Sequence, residues 1–161
     1  MPVFCTLGGM DNKNRITELE DVLRKIPLAH AMRVRVVDYS SGCLRLGAPA
    51  EPNRNHFGMA FGGAIQCLGT LAGWGLLWLE LGEPGLRIVI QHAETTFKAP
   101  LEGDLYAMAT LPEPPEWERF TALLERRGRA RIKIHAEIGS GNQPEGAFLH
   151  GRYAVAKETT A

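Results

Sequence analysis

The stretch from Phe61 to Leu81 constrains this chain more than any other, because its only polar side chains are Gln66, Thr70 and Glu80. A helix that apolar on every side must be enclosed by protein or by lipid. Its glycines (Gly62, Gly63, Gly69, Gly73, Gly75), the lack of a basic flank and the strand-like segments elsewhere favour enclosure by protein, with no membrane partner. A chain of 161 residues buries about 70% of its extended surface, enough for one core. It is therefore expected to form a single domain over residues 1–161, with residues 1–27 as an N-terminal extension and short helix. With 45% apolar residues and 18 basic against 18 acidic side chains, disorder is excluded. The zero net charge also argues against nucleic acid, whose ligands carry a basic excess. Cys5, Cys43 and Cys67 have neither disulfide-frame nor metal-ligand spacing, so no metal is expected and a reducing, cytoplasmic setting is. Residues 1–10 lack a basic n-region and are broken by Gly8 and Gly9, a poor secretory signal.

Around that stretch the periodicity alternates. Ile16, Leu19, Val22, Leu23 and Ile26 recur at helical spacing and predict a short helix ended by Pro27. Met32, Val34 and Val36, then Leu44 and Leu46, alternate with polar residues about the Ser40-Ser41-Gly42 turn, which predicts a hairpin. Strands are expected at Leu86 to Lys98, Leu105 to Leu111, Arg129 to Ile138 and Phe148 to Ala156, the last two joined by a Gly139 to Gly146 turn. Between the second and third, Pro114-Pro115 opens a helix with Trp117, Phe120 and Leu124 on one face. Strands with one polar face make antiparallel sheets wet on one side, and only the Phe61 to Leu81 helix can cover the dry side. The predicted fold is α+β: a curved antiparallel sheet wrapped around a long central helix, the hotdog arrangement.

Three segments carry a closer resemblance. They are Pro52-Asn53-Arg54-Asn55-His56-Phe57-Gly58-Met59-Ala60-Phe61-Gly62-Gly63-Ala64, Ala93-Glu94-Thr95-Thr96-Phe97-Lys98-Ala99-Pro100 and Arg129-Ala130-Arg131-Ile132-Lys133-Ile134. With them the chain, from about Leu28 to Val155, resembles the YiiD C-terminal thioesterase family of the hotdog acyl-thioesterase superfamily. The resemblance implies hydrolysis of an acyl-CoA or acyl-carrier-protein thioester. Coenzyme A would enter as part of the substrate, with no separate cofactor. It also implies a homodimer or dimer of dimers, since relatives build the acyl groove between subunits. Some relatives carry an acetyltransferase domain, which this chain is too short to hold.

The residues give that expectation a physical form. Gly62 and Gly63 open the apolar helix, where backbone N–H groups lack internal partners and carry the positive end of the dipole. A thioester carbonyl seated there would have its developing oxyanion stabilised; alternatively, the paired glycines let the helix pass close under a strand. In the phenylacetyl-CoA type of relative the loop reads Asn-x-x-Gly-x-x-His-Gly-Gly, with an acidic residue two turns into the helix. Asn55 and Gly58 match that pattern, Phe61 replaces the histidine, and Thr70 replaces the carboxylate. The dehydratase pattern, a His-Phe pair followed by a helical Glu, also ends on Thr70. A threonine can hold water but is no general base. Candidate catalytic residues are therefore Asn55 and Thr70 as water-positioning groups, with Glu94 as base and His92 tuning it. The strand alternation places His92, Glu94 and Thr96 on the face of Ile88 and Ile90; a solvated strand end is the alternative. Gln66, one turn before Thr70, joins Phe61, Gly62 and Gly63 as a substrate-binding candidate. Arg129 and Arg131 are candidates for coenzyme A phosphates, with a solvated outer sheet face as the alternative. A dehydratase or hydratase and a non-catalytic thioester binder remain as the other functional classes.

Overall fold

The structure, a computed structural model, describes residues 9–40, 42–141 and 143–158. Expectations placed on residues 1–8, Cys5 among them, and on Ser41 lie outside the described residues. The elements in chain order are α1 (Gly9–Lys25), α2 (Pro27–Ala31), β1 (Arg35–Ser40), β2 (Cys43–Ala48) and α3 (Ala50–Asn53). They continue with α4 (Gly62–Leu81), β3 (Leu86–Phe97), β4 (Leu105–Thr110), α5 (Pro114–Arg127), β5 (Arg129–Ser140) and β6 (Gln143–Lys157). Six strands form one antiparallel sheet in the order β1-β2-β4-β5-β6-β3, and α4 packs across its inner face. This is the wrapped-helix architecture that the patterning predicts.

Two local expectations are corrected. Pro27 starts a helix as well as ending one, because at the first helical position its missing N–H costs nothing. The chain then turns through Met32, the C-cap of α2, so β1 begins at Arg35 and not at Met32. The second hairpin is also tighter: β5 runs to Ser140 and β6 starts at Gln143, absorbing most of the expected Gly139 to Gly146 turn.

Alternation along β5 and β6 sends Ala130, Ile132, Ile134, Ala136 and Ile138, with Ala147, Leu149, Tyr153 and Val155, into the core. The helix meets them through small residues. A side chain at Gly69 would press on Ile138 and Leu149, and one at Gly73 would overlap the Tyr153 hydroxyl. That hydroxyl donates to the Thr70 carbonyl oxygen at 2.8 Å, and burial holds it above the usual tyrosine range, so it stays a donor. On the other flank of α4, Leu44 and Leu19 pack at Gly75.

The two sheet edges differ. At β1, α1 lies alongside, Glu20 Oε1 accepts the Val36 N–H at 3.2 Å, and a bulge between Val36 and Asp38 bends the strand. Among the described residues β3 has a strand neighbour on one side only, β6. Its register with β6 shifts between Ile90 and His92, so Gln91 is an extra residue. Before the bulge, Ile88 and Ile90 pair with the inward Val155 and Tyr153; after it, His92, Glu94 and Thr96 pair with the outward Arg152, His150 and Phe148. The expected sharing of one face by Ile88, Ile90, His92, Glu94 and Thr96 is therefore wrong. Ala93, Thr95 and Phe97 continue the inner face instead.

On the outer face Glu94, His150, His135 and Thr110 form one cross-strand row. The two histidines bring Nδ1 atoms within 3.3 Å, and His135 stacks on Phe148 with centroids 5.7 Å apart. Desolvation lowers the His135 pKa below its ordinary value; His150 lowers it further, and Glu137, 4.0 Å away, opposes.

Two predictions follow from this packing. Gly73→Ala should destabilise the protein by about 2 kcal/mol through overpacking against Tyr153, read as a lower urea midpoint at unchanged slope. A loss below about 0.5 kcal/mol would mean that the seam is loose. For His135 the folded state disfavours the proton, so its contribution is complete above the ordinary histidine value of about 6.5 and is lost as pH falls from there through the lowered folded-state pKa. The stability of wild type relative to His135→Gln should accordingly decline on acidification from pH 7.5 to 5; a flat or rising difference contradicts the pairing.

Candidate functional site

The segment before α4 is a closed loop. Phe61 N–H donates to the Asn53 carbonyl at 2.8 Å, Arg54 and Ala60 form a bridge, and Asn55 N–H donates to the Met59 carbonyl at 2.7 Å. Asn53 pins the loop to the body. It is 2% exposed, and its Nδ2 donates to the Met32 and Pro49 carbonyls at 2.9 and 2.8 Å. The Asn55 side chain serves the loop itself, its Oδ1 accepting the Phe57 and Met59 N–H groups at 2.9 and 3.2 Å. Sequence reasoning placed weight on Asn55 and passed over Asn53. Two asparagines in the same polar loop look alike until one is seen to be buried.

This loop delivers Phe61 as the N-cap of α4 in extended conformation, with no side-chain hydrogen bond to the first turn. Gly62 and Gly63 therefore present backbone N–H groups at the positive end of a twenty-residue helix without a capping side chain. Two aromatic rings flank them. The Phe61 ring lies where a Gly63 side chain would be, and the Phe97 ring is 3.6 Å from the Gly62 Cβ position. Phe61 and Phe97 are 57% and 53% exposed, an apolar rim beside a polar point. Such a rim with donors beside it suits a ligand that has an apolar body and one electron-rich oxygen.

From the tip, a half-exposed stripe runs down α4 through Gln66, Cys67, Thr70, Trp74 and Trp78 beside the inner face of β3. The structure thus brings Phe61, Gly62, Gly63 and Gln66 together, with Thr70 one turn further along. Burial raises the Cys67 pKa, leaving a protonated thiol rather than a nucleophile. It does not bring His92 and Glu94 to the stripe, since the bulge turns both outward. The hydroxyl that faces α4 is that of Thr95, whose Oγ1 is buried without a partner. Arg129 and Arg131 are exposed on the outer face of β5, opposite the Leu86 end of β3, about 30 Å along the strands from the Phe97 end. Within one protomer they do not reach the tip. Glu80, the carboxylate of α4, is about 25 Å from Gly63 along the axis and accepts the Tyr39 hydroxyl at 2.8 Å. Burial raises its pKa, while Tyr39 and Arg15 lower it in part. Among the described residues no His/Cys/Asp/Glu cluster is suited to a metal. The backbone donors at the tip were legible from the Gly-Gly pair; Thr95 and Phe97 were hidden by the bulge.

Solved structures share this architecture. A protein of unknown function from Chlorobaculum tepidum TLS is 27% identical over 91% of this chain and 94% of that one, with a TM-score of 0.80. A "putative thioesterase" from Shewanella oneidensis is 24% identical over 91% and 99%, with a TM-score of 0.79. A thioesterase variant from Pseudomonas aeruginosa, at 14% identity over 89% and 94%, gives a TM-score of 0.70 and supports the hotdog fold alone. The family model described as "Putative thioesterase (yiiD_Cterm)" matches residues 16–157. With a match over nearly its whole length, a six-stranded sheet around one apolar helix and an uncapped glycine pair at that helix's start, the chain belongs to this YiiD C-terminal thioesterase family.

Proposed function

We propose that this protein hydrolyses an acyl thioester, with coenzyme A or an acyl-carrier protein as the thiol half. The uncapped first turn of α4, flanked by Phe61 and Phe97, carries this reading. The thioester carbonyl oxygen sits at the Gly62 and Gly63 N–H groups, and the acyl chain lies along the half-exposed stripe past Gln66, Cys67 and Thr70 toward Trp74. Water adds to the carbonyl carbon, and negative charge develops on the oxygen, where the helix N-terminus stabilises it. Collapse of that adduct breaks the carbon–sulfur bond, the thiolate takes up the proton, and the carboxylic acid leaves. Gln66 and Thr70, on the same stripe, orient the water. Glu94 is given no part, because its outward position keeps it on the far side of the sheet.

A specific observation favours the second reading, a binder without hydrolysis: α4 carries no carboxylate near its tip. A panel of acyl-CoAs with free-thiol detection separates the two. Thiol release supports the hydrolase, whereas saturable binding without release supports the binder. For the hydrolase, Gly63→Val should reduce kcat/KM by about a hundredfold through the oxyanion site, and Glu94→Ala should leave it within about twofold. A large loss in Glu94→Ala with Gly63→Val unaffected would reverse the assignment.

The same surface implies a second copy of the chain. β3 leaves one edge unpaired over twelve residues, with Val89 and Phe97 exposed on it and Phe61 beside it. Such an edge invites pairing with its twin about a twofold axis, which covers the stripe on α4. Sedimentation equilibrium at micromolar concentration should give twice the chain mass or a multiple of it; a monomer would contradict the pairing.

A further inference from the structure

We infer that Trp74 is the floor of the acyl groove and sets the longest chain the protein accepts. This inference rests on the proposed path of the acyl chain along α4. β3 runs antiparallel to α4, with Phe97 beside Gly62 and Ile88 beside Trp74. On the proposed path the acyl chain passes Gln66, Cys67 and Thr70 on the helix and the inner-face residues Thr95, Ala93 and Ile90 on the strand. It ends where the half-buried Trp74 indole reaches across, Nε1 donating to the Ile88 carbonyl at 3.1 Å. That bond ties the ring to the strand and makes a wall of it.

Beyond the wall the space opens again. A cleft of about 260 Å³ lies between the C-terminal end of α4, α1 and the start of β3, lined by Trp78, Leu81, Leu86 and Ile88 with Arg15 and Glu18 at its side. Ile88 and Trp78 line the cleft, Trp78 one turn beyond Trp74 and Ile88 bonded to it through its carbonyl, so the indole stands between the proposed path and the cleft. From Gly63 to Trp74 the helix rises about 16 Å, which, less the thickness of the ring, takes an extended chain of roughly ten carbons. A longer chain meets the indole edge.

Two measurements test this separately from hydrolysis. Affinities of non-hydrolysable alkyl thioether analogues of coenzyme A, graded from four to about sixteen carbons, are taken by calorimetry for wild type, Trp74→Ala and the milder Trp74→Leu. Thiol release is followed on the matching acyl-CoAs. Wild-type affinity should rise with length to about ten carbons and then level or fall. In Trp74→Ala or Trp74→Leu the rise should continue into the cleft, with at least about a tenfold gain for the longest analogue relative to the shortest. Trp78→Ala, inside the cleft, should leave the wild-type break in place. An unmoved break in a folded Trp74 variant, or wild-type affinity that rises without a break, overturns the floor, as does failure of every analogue to bind. If the break moves while no acyl-CoA releases thiol, the floor stands and hydrolysis is what fails.

Discussion

The close approach of α4 to the sheet governs the rest of this structure. An apolar helix with full-sized side chains on every side would stand a helix diameter off the strands. Here Gly69 and Gly73 remove those side chains where Ile138, Leu149 and Tyr153 come up from below, and the Tyr153 hydroxyl closes the contact on the Thr70 carbonyl. Helix and sheet are thereby held at a fixed height and rotation. The rotation matters for function, because it decides which stripe of α4 stays half-exposed beside β3. With Gly73 turned to Tyr153, the residues left on that flank are Gly63, Gln66, Cys67, Thr70, Trp74 and Trp78.

A single extra residue in β3 controls what faces that stripe. Without the bulge at Gln91, Glu94 would look toward α4 and Thr95 toward solvent; with it, the order is reversed. A carboxylate buried against the apolar helix without a partner would be costly, while a hydroxyl there is tolerated more readily. The outward side suits Glu94, which lies across from His150 in a row of polar groups. The bulge thus sets Ala93, the Thr95 hydroxyl and Phe97 on the inner wall in place of His92 and Glu94, and it lies on the edge strand, where bulges are common.

This explains which features could be read from sequence. The apolar run, the spans of β3, β4 and β5 and the Gly82 stop fall to elementary periodicity and appear close to where expected, Gly82 with φ 59 in the left-handed region. The glycine pair at the helix start was equally legible. Side-chain facing in β3 was not, since strict alternation assumes an unbroken ladder, and nothing in Val89-Ile90-Gln91-His92 marks the extra residue. The role of Asn53 escaped for a related reason: its value lies in two carbonyls, of Met32 and Pro49, that only the folded chain brings to it. Trp74 stayed ambiguous because an aromatic residue on an apolar helix has the same pattern whether it fills a core or closes a channel.

The two ends of α4 show why the N-terminal end is the one open to a ligand. At the C-terminus one orphan carbonyl, that of Trp78, is taken up twice from within the chain. Gly82 turns left-handed and returns its N–H to Trp78 O at 3.4 Å, and Arg15 Nη2 donates to the same oxygen at 3.1 Å, its guanidinium 5.3 Å from the Trp78 ring centre. A cation at the negative end of the dipole is the favourable arrangement. At the N-terminus the opposite requirement, an acceptor or negative charge, is met by no capping side chain: Phe61 offers a ring, and Asn55 spends its oxygen on its own loop. Closing that end would take a serine or aspartate in place of Phe61, worth about 1 kcal/mol. A helix anchored at its C-terminal end and left without a capping side chain at its start, beside the exposed Phe61 and Phe97 rings, has first-turn donors available to an oxygen supplied from outside.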